Sequence, residues 1–149
     1  FMHFPVDKSE EEWKSLLSAD EYRVIRKKET EDAGSGEYSE FYPAGGFFKC
    51  RACGNPLYSA AAKFDSGCGW PAFDKCYEGG VIADKDEANN MIEILCSRCG
   101  AHLGHIFLNE HHTTTNERHC VNSISVKFDK NEHVADQSKL VSCFKGKSY

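Results

Sequence analysis

Two copies of one knuckle, Cys50-Arg51-Ala52-Cys53-Gly54 and Cys96-Ser97-Arg98-Cys99-Gly100, constrain this chain more than any other feature. Each sets two thiols on a tight turn, and the glycine after the second cysteine lets the backbone fold beneath them. Together they supply four sulfur ligands, the donor set of a closed tetrahedral zinc site. Such a site has no open position for substrate, so its role is structural: it clips residues 50 and 99 together across a long insertion. A pair of redox dithiols or disulfides is the alternative, and the spacing favours zinc, one ion per chain. The gap between Cys53 and Cys96 is longer than a simple ribbon needs, which implies a functional segment carried between the knuckles.

Paired knuckles fit a reducing compartment better than a disulfide framework does. The expected compartment is therefore the cytoplasm, or an organelle if a targeting segment has been removed. A net charge of −5, from 18 Lys+Arg against 23 Asp+Glu, argues against a nucleic-acid partner. No apolar run approaches the roughly 20 residues of a membrane helix, and 149 residues fit one domain, residues 1–149.

Along the chain, Ser9-Glu10-Glu11-Glu12 and Ser18-Ala19-Asp20-Glu21 both have the form of a capping box, so two short N-terminal helices are expected. Trp13, Leu16 and Leu17, then Tyr22 and Ile25, supply their apolar faces. Residues 29–40 read as a loop. Phe47-Phe48 begin a strand into Cys50, and further strands are expected near 56–59, 80–84, 90–96, 102–107 and 119–128. The core of the domain is placed at about 9–128, with 129–149 a polar surface tail.

Four cysteines remain: Cys68, Cys76, Cys120 and Cys143. In Arg118-His119-Cys120-Val121-Asn122-Ser123, running on to Phe128, a period of two puts Arg118, Cys120 and Asn122 on one face with Ile124, Val126 and Phe128. The thiol is then expected to face inward, either as a small hydrophobe in a half-buried strand or as a thiolate beside a cation and an amide. Cys68 lies between Gly67 and Gly69, in a mobile loop that suits a thiol travelling toward another sulfur. Trp70, held by Pro71, is either a core aromatic or a flat apolar wall. His102 and His105 are satisfied structural histidines or proton donors near neutral pH, with metal ligation the weakest reading.

Taken in order, Cys-x-x-Cys-Gly, Asp65-Ser66-Gly67-Cys68-Gly69-Trp70-Pro71, Cys-x-x-Cys-Gly-Ala-His-Leu-Gly-His and Arg118-His119-Cys120-Val121-Asn122-Ser123 resemble the B-type methionine sulfoxide reductases over roughly residues 9 to 128. The resemblance implies a mainly β fold, two antiparallel β-sheets of the β-tent kind with short N-terminal helices. It implies reduction of L-methionine (R)-S-oxide in peptides and proteins. Cys120 would attack the sulfoxide sulfur and become a sulfenic acid; Cys68 would resolve it as a Cys68–Cys120 disulfide, recycled by thioredoxin. Trp70 and Phe107 would bind substrate, His102 and His105 would bind and protonate the sulfoxide oxygen, and Arg118 and Asn122 would hold the thiol and its hydrogen-bond network. Cys50, Cys53, Cys96 and Cys99 would hold the zinc, and a monomer is expected. Residues 108–117 depart from the pattern, lacking the Gly and Pro of many relatives. His119 stands where Tyr or Phe is frequent and points away from the thiol. His111 and His112 are expected in solvent, and Cys76 and Cys143 match no role in the family. A zinc-ribbon-like binding module would not need Cys68 and Cys120, and a dithiol redox sensor would not need Trp70 beside a His pair.

Overall fold

Both capping boxes form. Ser9 and Ser18 accept from the backbone N–H of Glu12 and Glu21, whose carboxylates reach back to the cap N–H groups, and they start helices α1 (Glu10–Leu16) and α2 (Ala19–Ile25). The computed structural model describes residues 3–86, 88, 90–131 and 139–144. Beyond the helices the fold is mainly β and antiparallel, as the sequence implies. Its strands are β1 (Phe47–Cys50), β2 (Pro56–Ser59), β3 (Lys63–Phe64), β4 (Ala72–Phe73), β5 (Cys76–Tyr77), β6 (Val81–Asp86), β7 (Met91–Cys96), β8 (His102–Leu108), β9 (Glu117–Val121), β10 (Val126–Asp129) and β11 (Leu140–Val141). They make a six-stranded sheet, β3-β4-β9-β8-β7-β6, a three-stranded sheet, β10-β1-β2, and a two-stranded ribbon, β11-β5. No helix among the described residues is long and apolar enough to cross a membrane.

Between the principal sheets lies one core, built on Phe48, Leu57, Tyr58, Phe73, Ile94, Leu103 and Val121, with Trp13 and Ile25 bringing the helices onto it. Tyr58 and Phe73 stack at 4.3 Å between ring centroids.

Two expectations are corrected. Residues 119–128 are not one strand. At Asn122 the chain leaves the six-stranded sheet, turns through a 3-10 helix at Ser123–Ser125, and enters the other sheet as β10, where Val126 pairs with Cys50. Polar side chains cause the break: Asn122 Nδ2 donates to the Leu103 carbonyl, Ser125 Oγ donates to the His102 carbonyl, and the Glu31 carboxylate accepts from the N–H groups of Ser123 and Ile124. The alternation therefore cannot be carried across from Phe128. Within β9 it is Glu117, His119 and Val121 that are buried on the core face, while Arg118 and Cys120 lie on the opposite, half-exposed face. The thiol does not face the core.

The chain after Phe128 is likewise not a loose surface tail over 139–144. Leu140 and Val141 pair with Tyr77 and Cys76, and Ser142 is buried. The part of that tail at 132–138 and 145–149 lies outside the described residues.

Candidate active site

Cys120 and His105 are register partners across β9 and β8, as are Arg118 and Phe107, and Ala72 of β4 opposes Cys120 on its other side. These side chains share one face of the sheet. His102, three residues before His105, would fall on the other face of a regular strand. It does not, because the ladder with β7 skips Leu103: Leu95 pairs with His102 and Ile94 with Gly104. This bulge brings the two imidazoles to 5.5 Å between centroids. Gly104 is required there, since a Cβ on it would sit 1.9 Å from the Cys120 carbonyl oxygen.

The loop after β3 returns Cys68 to the same place. Gly67 and Gly69 take φ of +75° and +89°, and the Asp65 carboxylate accepts from the Gly67 N–H. Cys68 Sγ ends 3.4 Å from Cys120 Sγ and 3.3 Å from the Trp70 carbonyl. Both thiols are free and half-buried. At this separation they share a proton. The hydrogen bond with Cys120 holds Cys68 down, to about 5, against the opposing effect of burial and with help from Ser66. The same bond, then burial, pushes Cys120 up, while Arg118 pulls it down. Arg118 favours the anion on either sulfur. The pair therefore ionises easily once and with difficulty a second time.

Arg118 is held from two sides. Its guanidinium lies 4.3 Å from the Phe107 ring centroid, and Glu110 grips it bidentately, Nε to Oε1 at 2.6 Å and Nη2 to Oε2 at 3.0 Å. Glu110 comes from the loop that lacks Gly and Pro. Its tight turns are made instead by Asn109, His111 and Asn116, all with φ near +60°. His111 and His112 are exposed, as expected.

The His102 Nδ1 meets Glu93 Oε2 at 2.6 Å, and Lys28 meets the other carboxylate oxygen at 3.0 Å. Burial pushes the Glu93 carboxyl up, but His102 and Lys28 outweigh it and hold it below its ordinary value. His102 Nε2 is buried and has no partner among the described residues; a bound polar atom would satisfy it. Burial and then neighbouring His102 pull His105 down, against Glu93, and so favour its neutral form.

Asn122 is placed differently from Arg118. It is buried, its Oδ1 accepts from the Glu31 N–H and its Nδ2 is bound to Leu103. The Glu31 carbonyl in turn accepts from Trp70 Nε1 at 3.0 Å. Asn122 therefore supports Trp70 through Glu31. Sequence reasoning missed Glu31, Glu93 and Glu110.

The knuckles meet as expected. The four sulfurs of Cys50, Cys53, Cys96 and Cys99 lie within 4.8 Å of one another, with Cys50–Cys99 and Cys53–Cys96 each at 3.6 Å. Tetrahedral zinc at its usual bond length would set sulfurs about 3.8 Å apart, so the donor set and its spacing fit such an ion.

Comparison with known proteins agrees with this arrangement. The SelR domain model matches residues 17–130. The chain is 51% identical over 124 residues to peptide methionine sulfoxide reductase B3, chloroplastic, of Oryza sativa subsp. japonica, covering 83% of this chain and 54% of that protein. It is 49% identical over 122 residues to peptide methionine sulfoxide reductase B5 of the same plant, covering 81% and 89%. To peptide methionine sulfoxide reductase B5 of Arabidopsis thaliana it is 46% identical over 125 residues, covering 83% and 89%. The chain thus spans about half the length of the first of these relatives and most of the other two. With the paired knuckles, the apposed thiols and this identity together, the chain belongs to the SelR-domain family, that of the B-type peptide methionine sulfoxide reductases.

Proposed function

We propose that the protein reduces L-methionine (R)-S-oxide in peptides and proteins, with Cys120 as nucleophile, Cys68 as resolving thiol and thioredoxin as reductant. The observation that carries this reading is the 3.4 Å approach of Cys68 and Cys120 beside Arg118 and the His102/His105 pair. A sulfoxide sulfur is a weak electrophile until its oxygen is protonated, so a thiolate and an acid must act together. His102 suits the acid: Glu93 on Nδ1 fixes the ring and leaves Nε2 to face a polar atom. His105, beside it, suits binding of the oxygen. Trp70 and Phe107 are aromatic surfaces for the substrate's methylthio end.

Substrate entry separates the two sulfurs. The largest cause of the rise at Cys120 then disappears while Arg118 remains, and the thiolate becomes available on Cys120. It attacks the sulfoxide sulfur as the oxygen takes up one proton; the substrate S–O bond then breaks, the hydroxyl passes to the Cys120 sulfur, the transient bond between the two sulfurs is released, and methionine leaves with Cys120 as a sulfenic acid. Cys68 attacks that sulfur, the S–S bond forms and the oxygen departs as water. A dithiol such as thioredoxin restores both thiols by exchange. Zinc on Cys50, Cys53, Cys96 and Cys99 holds β1 and β7 together outside the chemistry. All the groups named come from one chain, which supports action as a monomer, and four thiolate ligands suit a reducing compartment such as the cytoplasm.

In Cys68→Ser, one methionine should be released per chain and the reaction should stop with Cys120 as a sulfenic acid. Sustained thioredoxin-dependent turnover in that variant would remove Cys68 from the resolving role.

A further inference from the structure

On the core side of β9 a second thiol pair stands apart from the one just described. Cys143, just beyond β11, has its Sγ 3.8 Å from Cys76 Sγ in β5. Its sulfur, the Glu117 carboxylate and the His119 imidazole lie within 4.8 Å of one another. His119 and Glu117 form a buried ion pair, Nε2 to Oε1 at 2.8 Å, and Tyr58 O–H meets Nδ1 at 2.8 Å. Glu117 also anchors the terminal segment, accepting from the backbone N–H groups of Cys143 and Phe144 at 3.0 Å each. A cavity of about 410 Å³ opens on the pair, lined by Cys76, Cys143, Glu78, Gly79, Val81 and Phe144 among others. Half-buried Cys143 is therefore reachable by a small solute, whereas buried Cys76 and the dyad are not.

We propose that Cys143 and Cys76 are a second, peroxide-reactive dithiol, with His119 and Glu117 as the positioning dyad, whose oxidation fastens residues 139–144 to β5. Burial disfavours charge on His119, but Cys143 and Glu117 outweigh it and push its pKa up, and an imidazolium beside the sulfur favours the thiolate form of Cys143. The hydrogen bond with Cys76, opposed by burial and helped by His119, draws the Cys143 thiol down to about 6; bonding to Cys143 and burial push Cys76 up. The negative charge is thus favoured on Cys143 and the proton on Cys76. The three-donor cluster is a poorer metal site, because both imidazole nitrogens and both carboxylate oxygens are already hydrogen-bonded.

With hydrogen peroxide as oxidant the chemistry balances. The Cys143 thiolate takes one peroxide oxygen, the O–O bond breaks, and the other oxygen leaves as hydroxide and becomes water on taking up a proton. Cys76 then attacks the sulfenic sulfur, the S–S bond forms, the S–O bond breaks, and the hydroxyl leaves as water with the Cys76 proton. Two sulfurs lose two electrons and one peroxide gains them. The sulfurs must close from 3.8 Å to about 2.05 Å, a movement within reach of a segment held at its edge by one two-residue strand.

The test uses the reduced, metal-loaded, unsubstituted chain. After treatment with a several-fold molar excess of hydrogen peroxide, enough to oxidise both thiol pairs, remaining thiols are alkylated under denaturing conditions and the protein is digested without reductant for mass mapping. The expected product is a Cys76–Cys143 linked peptide, lighter by two hydrogens than its parts and abolished by dithiothreitol. In Cys76→Ser a dimedone adduct on Cys143 is expected. Recovery of Cys76 and Cys143 both alkylated after Cys120 has been oxidised would overturn the proposal. So would linkage of Cys143 to Cys68 or Cys120, or protection of Cys143 that a chelator removes, which would indicate a metal. None of these readouts requires methionine sulfoxide turnover.

Discussion

Replacing Cys68 with serine should change how Cys120 ionises, by an amount set by the sulfur separation. With the sulfurs 3.4 Å apart, a second thiolate beside the first costs about 5 kcal/mol at an effective dielectric constant of about 20. Both sulfurs are only partly buried, and screening by water reduces this to about half, or roughly two pK units. The wild-type pair should therefore lose its protons in two steps, the first below and the second above the pH at which a lone thiol would titrate. In Cys68→Ser the raising influence is gone and Arg118 stays, so Cys120 should show a single step about two units below the second wild-type step. The assay is the rate of iodoacetamide alkylation at Cys120, read by peptide mass from about pH 5 to about pH 11, a span covering both steps. Equal midpoints in wild type and variant would refute the close pairing of the two sulfurs and the sequence of events built on it.

Asn122→Ala leaves the half-buried Glu31 N–H without its partner and leaves the Leu103 carbonyl with only the backbone N–H of residue 122, at a cost of about 1–3 kcal/mol; calorimetry should show the melting temperature lowered by about 3–10 °C, and unchanged melting would mean that the Asn122 side-chain bonds carry no weight. Metal analysis should give one zinc per chain, and its removal by a chelator should lower the thermal transition and expose the four knuckle thiols to a thiol reagent. Full stability without metal would contradict the structural role.

Local signals were legible and distant ones were not. The two capping boxes and the two Cys-x-x-Cys-Gly turns are encoded within five residues each, and all four formed where expected. The period of two gives the wrong face for Cys120 because it breaks at Asn122, Ser123 and Ser125, a cluster whose polar side chains favour turns over strands. Had the run been stopped at Val121, the alternation Glu117, His119, Val121 would have placed the thiol on the open face. His102 and His105 come together only through the bulge at Leu103, and Gly104 beside it was the available sign. Glu31, Glu93 and Glu110 act on partners in other segments, Glu31 across more than 90 residues. Acidic residues are common on any surface, so nothing in their spacing singled them out. Cys76 and Cys143 went unassigned for a related reason: the pairing of β11 with β5 joins segments about 65 residues apart.

The central claim is that Cys120 reduces one sulfoxide epimer with recycling through Cys68. It is tested most directly by assaying the protein with thioredoxin on separated R and S epimers of peptide methionine sulfoxide, alongside Cys120→Ser. Turnover of the R epimer only, absent in the variant, is the predicted result; turnover of the S epimer, or R reduction that survives loss of the Cys120 thiol, would contradict it.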